Sequence, residues 1–386
     1  MKIFQMDEVQ NSNAKIKVIG VGGAGGNAVN SMIAASLEGV EFIVVNTDAQ
    51  VLESSLAHRK LQIGSSMTKG LGAGANPEVG REAALADRST IEEALTGADM
   101  VFITAGMGGG TGTGAAPVIA ELTRELGILT VAVVTRPFLF EGGKRSKNAD
   151  NGIKELKKHV DSIVLIHNNR IISVSEKDTP WHKALELSND VLRQAVKSIT
   201  DLIFVPGLIN QDFADIRTIL QNSGRTVMGI GTGTGEKRAE QAARMAINSP
   251  LLEETSINGA KSVLVNITGG TSLTIHEVNE VASFIKDVVH EDAEIIFGSV
   301  IDSDLENEII ATVIATNFEE QKQPTMSTYD TWRPAAVQGQ ALRGSGNILS
   351  KKIIPADDVD NIIYKKDDLD VPTFMRKSAA DEEGEV

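Results

Sequence analysis

The chain has 386 residues, of which 52 are acidic and 37 are basic, so its formal net charge is −15. This length allows two domains with separate cores, and a hydrophobic fraction of 41% is typical of a globular protein. The lack of cysteine excludes disulfides, thiolate metal sites and a cysteine nucleophile. The acidic balance argues against general nucleic-acid binding, because phosphates would repel the chain.

The longest apolar runs, such as 128–134, have the length of a strand and are far shorter than the roughly 20 residues that span a bilayer. The first ten residues, MKIFQMDEVQ, lack the basic and apolar regions of a signal peptide. We therefore expect a cytoplasmic protein with no direct membrane insertion. The unusual feature is glycine, with 36 residues.

The first half of the chain predicts a doubly wound parallel α/β domain over residues 14–183, after a disordered N-terminus at 1–13. Helical patterns alternate with strands, which requires parallel pairing and right-handed crossovers. The predicted strands are 15–21, 41–46, 99–104, 128–135 and 162–167. Glycine-rich loops occupy 20–27, 69–80 and 106–114, and helices follow them, the second starting near Pro77 and the others reaching about 37 and 126.

A long central helix is predicted over 184–206, and a second, smaller α/β domain with a mixed sheet over 207–317. The predicted strands of this domain are 226–233, 261–268, 293–300 and 308–316, and its helices lie near 236–247 and 274–289. Residues 318–366 are rich in Gln, Pro, Ser, Gly and Thr, and predict a disordered linker. A short mixed segment at 367–386 ends in an acidic tail.

The first glycine-rich loop allows two interpretations. Gly20, Gly22 and Gly25 match the G-x-G-x-x-G pattern, and Asp48 lies where a dinucleotide-binding fold places its ribose-binding acid. Taken alone, the pattern predicts an NAD-dependent oxidoreductase, although such glycines also allow tight packing of a helix on a strand. In either case the backbone N–H groups at the helix start form an anion site.

The third loop favours a triphosphate. Six of the nine residues in 106–114 are glycine, two are threonine and none is lysine, so the loop is not a Walker P-loop. A dinucleotide needs one such turn, whereas 14 glycines of this chain lie in three short stretches, at 20–26, 70–74 and 106–114. The sequence therefore predicts a triphosphate bound largely by main-chain amides.

The motif GGGTGTG after a strand resembles the signature of the tubulin superfamily, and residues 14–317 and the C-terminal peptide resemble the FtsZ family of bacterial cell-division GTPases. The resemblance implies GTP and GDP binding with Mg²⁺ and possible participation of a monovalent cation. It also implies head-to-tail polymerisation, GTP hydrolysis at subunit contacts, and a ring at the mid-cell division site that organises septum formation. Adaptors that anchor the ring to the membrane, and division regulators, are the implied partners.

The resemblance also implies residue roles. The phosphates are assigned to Gly22, Gly23, Ala24, Gly25, Gly26, Asn27 and Ala28, and to Gly108, Gly109, Gly110, Thr111, Gly112, Thr113 and Gly114. A γ-phosphate-sensing loop is assigned to Ala73, Gly74 and Ala75, and the surroundings of the phosphates and Mg²⁺ to Asn46 and Asp48. Glu141 and Arg145 resemble contacts to the ribose and base, and Asn189 and Asp190 resemble guanine readers. A carboxylate can accept both N–H groups of guanine, although both residues also suit a solvated helix face.

One position departs from the family. An aromatic residue that stacks on the base often stands four residues before the equivalent of Asn189, and this chain has Leu185 there. Trp181, one helical turn earlier, is a possible substitute.

The segment 207–217 carries the residues that the resemblance assigns to hydrolysis, namely Asn210, Asp212 and Asp215. They would enter the nucleotide pocket of the next subunit, where the carboxylates orient or activate water and Asn210 contacts the γ-phosphate region. By spacing alone, Asp212 could instead cap a helix whose first turn contains Asp215.

The C-terminal segment resembles the family's adaptor-binding tail. Its partner-binding residues are Leu369, Val371, Pro372, Phe374, Met375, Arg376 and Lys377. An unstructured tail is the alternative. The six histidines are isolated and predict no intrinsic metal site.

Three functions therefore remain to be distinguished. A GTPase that hydrolyses GTP only on assembly is the leading interpretation. An NAD-dependent oxidoreductase would bind a nicotinamide cofactor. A structural filament with incidental hydrolysis would keep its turnover rate after an Asp215→Ala substitution.

Overall fold

A computed structural model describes residues 14–175, 178–205, 207, 211–249, 257 and 259–318. The predicted N-terminal segment 1–13, Asn210 and the segments 319–366 and 367–386 lie outside these residues. The strands are β1 Ile16–Val21, β2 Val40–Asn46, β3 Arg59–Gln62, β4 Met100–Gly106, β5 Leu129–Arg136, β6 Ser162–His167, β7 Gly224–Thr234, β8 Ala260–Gly269, β9 Glu294–Ile301 and β10 Glu308–Phe318.

The helices cover both faces of the sheet in its first half, as predicted for a doubly wound fold. Over the whole described part of the chain, the α-helices are α1 Gly22–Ala34, α2 Ala49–Glu53, α3 Ser65–Thr68, α4 Pro77–Ala86, α5 Arg88–Leu95, α6 Thr111–Glu125, α7 Gly143–Leu156, α8 Asn168–Val174, α9 Trp181–Phe204, α10 Phe213–Leu220, α11 Arg238–Ile247 and α12 Ile275–Lys286.

The strand order is β3-β2-β1-β4-β5-β6-β7-β10-β8-β9. The pairs from β3 to β7 are parallel, the pairs of β10 with β7 and β8 are antiparallel, and β8 and β9 are parallel. The parallel and mixed sheets of the prediction are therefore confirmed, and they join through β6 and β7. The chain order reverses between β1 and β4, and such a switch point opens a crevice at the carboxyl ends of the strands.

Alternation along the strands divides the first core into two layers. Ile19 and Val21 of β1 face a cluster that includes the buried faces of α4, α5, α6 and α7. Ile16 and Val18 face the opposite side, where α1, α9 and α10 pack together with Leu264 of β8. Helices α11 and α12 pack on the other face of the mixed sheet. Helix α9 thus lies between the parallel and mixed parts of the molecule.

The glycine-rich loops are shorter than predicted, because helices begin inside them. Helix α1 starts at Gly22 and α6 at Thr111, so most of both motifs forms first helical turns. Low helix propensity had placed these residues outside the helices, but packing against the sheet overrides it. The central helix begins three residues before the expected position 184, and β10 includes Phe318, the first residue of the predicted linker.

Candidate functional site

A cavity of about 600 Å³ lies at the carboxyl ends of β1, β2, β4 and β5, at the switch point of the sheet. Thirteen of the predicted nucleotide-binding residues line it. They are Gly22, Gly23, Ala24, Asn46, Asp48, Ala73, Ala75, Gly109, Gly110, Thr111, Gly112, Glu141 and Arg145. Three glycine-rich segments that are far apart in the sequence therefore meet around one space.

Helices α1 and α6 both begin at this cavity, and their first turns offer free backbone donors. No side chain within the described residues caps either helix, and neither first turn contains an acidic residue. The N–H groups of a first turn have no partner inside their helix, and the helix dipole places partial positive charge there. Two such ends at one cavity create a site for a polyanion without a basic side chain.

The motif glycines serve two purposes. A Cβ on Gly25 would lie 2.3 Å from the Thr104 carbonyl oxygen, and one on Gly114 would lie 1.9 Å from the Pro77 carbonyl oxygen, so these glycines allow the helices to pack closely. At Gly23 and Gly109, in contrast, a Cβ would meet no described atom within 4 Å. Gly23 and Gly109 therefore leave main chain open towards the cavity.

Asn46 supplies a side-chain donor at the cavity. It is 2% exposed, and its Oδ1 accepts a hydrogen bond from the Asp48 N–H at 3.2 Å. Its Nδ2 is buried and has no hydrogen-bond partner in the described part of the chain. An unpaired buried donor is costly, so an anionic oxygen in the cavity would stabilise this side chain.

Asp48 is tied to the segment just before the predicted γ-phosphate-sensing loop of Ala73, Gly74 and Ala75. Its Oδ1 accepts hydrogen bonds from the backbone of Gln50 and Val51 and so caps α2. Next to it, the Ala49 N–H donates to the Gly70 carbonyl oxygen at 3.0 Å, and Asp48 forms a β-bridge with Leu71. Backbone contacts therefore hold the start of α2 against Gly70 and Leu71.

The predicted γ-phosphate-sensing loop holds one residue in an unfavourable backbone conformation at the cavity. Ala75, which lines the cavity, has a φ of 57°, and Gly72 and Gly74 have φ values of 85° and 56°. A non-glycine residue in the left-handed region is unfavourable and persists where the surroundings impose it. Such strain is common at ligand-binding loops.

The far end of the cavity is aromatic, which the sequence analysis did not predict as a group. Phe138, Trp181 and Leu185 line it together with the ion pair of Glu141 and Arg145. The ring centroids of Phe138 and Phe140 are 4.9 Å apart and stacked, and that of Trp181 lies 5.4 Å from Phe140. Phe138 and Trp181 are over forty residues apart in sequence, so only the fold reveals this cluster.

Ten of the predicted nucleotide-binding residues do not line the cavity. They are Gly25, Gly26, Asn27, Ala28, Gly74, Gly108, Thr113, Gly114, Asn189 and Asp190. Thr113 accepts a hydrogen bond from the Gly108 N–H at 2.8 Å and so holds its loop. Asp190 pairs with Arg193 at 3.2 Å, one turn beyond Leu185 on α9. The nucleotide roles of these residues stay predictions.

Asp212 and Asp215 stand at the start of α10, and the segments before and after that start reach the amino ends of the parallel strands. Helix α9 starts at the cavity and extends over 24 residues, about 36 Å, to Phe204, whose ring is in close contact with Gly39 just before β2. Helix α10 follows, and Asn222, just past its end, donates its N–H to Asp161, which immediately precedes β6. Neither carboxylate lines the cavity of its own chain.

The capping interpretation of Asp212 is also realised. Asp212 stands immediately before α10 and its Oδ1 accepts a hydrogen bond from the Asp215 N–H at 2.8 Å. Both residues are exposed. One oxygen of Asp212 is used by the cap, and a carboxylate has a second oxygen that can act elsewhere.

The donor set suits a nucleotide that brings its own Mg²⁺. Among the described residues that line the cavity, Asp48 and Glu141 carry carboxylates, and Glu141 is already paired with Arg145. Asp48 is therefore the residue that would hold a phosphate-bound cation. Within the described ranges no group of three or more His, Asp or Glu side chains could hold a metal on its own, and no helix is long and apolar enough to cross a membrane.

Two family models match the chain. Residues 15–176 match the Tubulin/FtsZ family, GTPase domain, and residues 224–319 match the FtsZ family, C-terminal domain. The first range contains the cavity, and the second begins at β7 and contains the mixed sheet.

Solved structures with the same architecture include an empty FtsZ dimer of M. jannaschii, which is 44% identical, with a TM-score of 0.76 over 80% of this chain and 89% of that one. CetZ2 from Haloferax volcanii, as a GTPγS-bound protofilament, is 20% identical, with a TM-score of 0.68 over 80% and 94% of the two chains. CetZ1 from the same organism, as a GDP-bound monomer, is 21% identical, with a TM-score of 0.68 over 78% and 93%. The two CetZ structures show a shared fold alone.

Proposed function

Because the chain belongs to the FtsZ family of tubulin-like GTPases, we propose that it is a cell-division protein that polymerises head to tail and hydrolyses GTP at the contact between subunits. The FtsZ dimer of M. jannaschii supports self-association as the basis of this activity. Polymers of this kind would form the ring that organises septum formation at mid-cell.

GTP or GDP would occupy the cavity with its phosphates at the first turns of α1 and α6. Backbone amides there would bind phosphate oxygens, and the unpaired Nδ2 of Asn46 would donate one more hydrogen bond. Asp48 would hold Mg²⁺ against the phosphates, where the ion neutralises developing charge during phosphoryl transfer. The base would lie at the aromatic end, towards Asn189 and Asp190.

The observation that carries the proposal is that α9 begins at the cavity, whereas Asp212 and Asp215 follow its far end and do not line the cavity. Phosphoryl transfer needs a positioned water close to the γ-phosphate, which these carboxylates cannot provide within one chain. Stacking two subunits head to tail would bring the carboxyl edge of one sheet to the amino edge of the next. Hydrolysis would then depend on assembly.

Within that contact, Asp212 and Asp215 would orient the attacking water and accept its proton. The cap on α10 fixes Asp212 relative to Asp215, so the structural and catalytic roles of Asp212 are compatible. Asn210, which lies outside the described residues, would contact the γ-phosphate region or its cation. The C-terminal segment, including Phe374 and Arg376, would recruit membrane-anchoring adaptors and regulators.

The first test is a titration of protein concentration at fixed GTP and Mg²⁺, with light scattering and phosphate release followed together. We expect both signals to rise above the same threshold concentration. Phosphate release that stays proportional to protein concentration, with no threshold, would contradict assembly-coupled hydrolysis.

The sharper test is complementation between two inactive variants. Asp215→Ala should bind GTP and assemble but lose turnover. Asn46→Asp should bind GTP at least tenfold more weakly while keeping both carboxylates, and the GTP concentration is set so that its own cavity stays largely empty. In an equal mixture about a quarter of head-to-tail contacts would pair an intact cavity with intact carboxylates, so phosphate release should reappear. Co-sedimentation verifies that the two variants assemble together. If they co-assemble without recovery, the shared site is wrong.

Asp212→Asn serves as the matched control for the cap. Asparagine caps helices as well as aspartate does, so this variant should keep the stability of α10 and still lose turnover. Equal loss of activity in Asp212→Asn and Asp212→Ala, with lower stability only in the latter, separates catalysis from capping. Full activity in Asp212→Asn would remove Asp212 from the mechanism.

A further inference from the structure

We propose that Trp181, the first residue of α9, stacks on the purine base of the bound nucleotide and takes over the role that Leu185 cannot fill. The inference rests on the proposed function. It assigns the base-binding surface to the aromatic cluster, defined here as Phe138, Phe140 and Trp181.

The cluster holds Trp181 in place at the cavity. Phe138 is 1% exposed and anchors the group, and the Phe140 ring is stacked on it with an interplanar angle of 16°. The Trp181 ring meets Phe140 edge-on at 5.4 Å and Phe138 at 5.5 Å. The cluster therefore joins the segment after β5 to the start of α9 and holds the Trp181 indole by ring contacts.

Trp181 also has a free surface on the cavity side. It lines the cavity together with Leu185, yet it is 55% exposed. The two residues stand four apart on α9, so they lie on the same face of the helix, about one turn from each other. An exposed indole beside an aliphatic side chain offers a flat, apolar surface of the size of a purine.

The energetic argument favours the tryptophan. Stacking on an aromatic side chain contributes about 1–3 kcal/mol per base, which corresponds to roughly fivefold to 150-fold in affinity. Leu185 has no π-system and supplies only part of this. Because every base has a π-face, Trp181 would strengthen binding of purine nucleotides in general, and the choice of guanine would remain with polar groups such as Asp190.

Exposure of the cluster has a competing explanation, a contact with the next subunit. The two roles differ in what they change. A stacking residue alters nucleotide affinity in dilute, unassembled protein, whereas a contact residue alters only the threshold concentration for assembly. Measurements without Mg²⁺ and far below that threshold therefore report on stacking alone.

The direct test uses Trp181 as its own probe. The chain contains one other tryptophan, Trp332, so Trp332→Phe leaves a single indole. On titration with GDP we expect strong quenching of Trp181 emission, which saturates with the same dissociation constant that calorimetry gives. Binding of GDP without any change in emission would overturn the proposal, and absence of GDP and GTP binding would instead overturn the proposed function.

Variants then measure the contribution. Trp181→Ala should weaken GDP binding about tenfold, Trp181→Phe should retain most of the affinity, and Leu187→Ala should leave it unchanged. Leu187 is the matched control because it is an exposed residue of α9 that does not line the cavity. Circular dichroism verifies that the variants are folded.

The decisive variant restores the family's pattern. If the missing aromatic at position 185 is the reason for the role of Trp181, Leu185→Phe in the Trp181→Ala background should recover most of the lost affinity. The same affinity in Trp181→Ala and the unmodified chain, or an equal loss in Leu187→Ala, would show that Trp181 does not stack on the base.

Discussion

The N-termini of α12 and α6 differ in whether side chains of the protein accept hydrogen bonds from the first backbone N–H groups. At α12, Thr274 accepts a hydrogen bond from the Glu277 N–H, and Glu277 accepts one from the Thr274 N–H at 2.8 Å. Arg238 then binds the Glu277 carboxylate through two nitrogens, at 2.6 and 3.1 Å. At α6 no described side chain caps the helix, and its first turn faces the cavity.

The difference separates donors used for stability from donors kept for a ligand. Every helix start leaves N–H groups that need acceptors. At α12 the chain supplies such acceptors itself, and Arg238 holds the capping Glu277 in place. In the parallel region α1 and α6 leave their donors available, so part of the stability of this region should come from the bound nucleotide.

The largest effect should come from a matched pair of glycines in the α6 motif. Gly114→Ala places a methyl group 1.9 Å from the Pro77 carbonyl oxygen and should reduce the free energy of unfolding by about 3 kcal/mol, because α4 and α6 must separate. Gly109→Ala has free space and should alter nucleotide affinity with little change in stability. Urea unfolding of both variants measures this; equal stability losses would mean that the two kinds of glycine are not distinct.

A smaller effect should follow from Glu277→Gln in the capped region. Hydrogen bonds from Arg238 lower the pKa of Glu277 to about 2. A lowered pKa in the folded state means that the charged pair stabilises the protein above the ordinary carboxyl pKa, and that this contribution is lost as the pH falls from about 4.5 to 2. The variant should be less stable by about 2 kcal/mol at pH 7.

Urea unfolding of the wild type and Glu277→Gln between pH 7 and pH 2.5 tests this, with Glu240→Gln as control. Glu240 forms an exposed pair with Arg244 at 2.9 Å, and such pairs contribute little. The difference between wild type and Glu277→Gln should shrink as the pH falls. A difference that is independent of pH would mean that the charge of Glu277 is not what stabilises α12.

The smallest of the three concerns Asn46, where a free donor is exchanged for a negative charge. Asn46→Asp keeps the oxygen that accepts from the Asp48 N–H but replaces the unpaired Nδ2 with an anionic oxygen. We expect GTP affinity to fall at least tenfold, about 1.4 kcal/mol, with a smaller change in the stability of the nucleotide-free protein. Calorimetric titration measures this. Unchanged affinity would mean that Nδ2 does not face the phosphates.

Much of the fold could be predicted because strands and long helices carry strong patterns. The runs 128–135 and 308–316 fall within or beside β5 and β10, and the helix at Pro77 begins at the predicted residue. The four-residue strand β3 was not predicted, because RKLQ has neither length nor an apolar run. The starts of α1 and α6 were also not predicted. Glycine has a low helix propensity, so the sequence argues against a helix there, although packing against the sheet stabilises one.

The part of the candidate site formed by sequence motifs could be predicted. The part formed by segments that are distant in the sequence could not. The glycine-rich segments could be assigned to one cavity from their spacing after strands. The aromatic cluster could not, because Phe138 and Trp181 come together only when α9 docks on the sheet. The unpaired Nδ2 of Asn46 could not be predicted either, because only the surrounding structure shows that a donor lacks a partner.

Helix α9 has one further consequence, which concerns length. The helix begins at the cavity, and Asp212 follows its far end, so in a head-to-tail filament α9 would lie between the two parts of the shared site within each subunit. At about 1.5 Å per residue, its 24 residues span about 36 Å, and a helix lying along the filament axis would set a nucleotide spacing of that order. The repeat distance of such a filament would thus depend on the number of residues in a single helix.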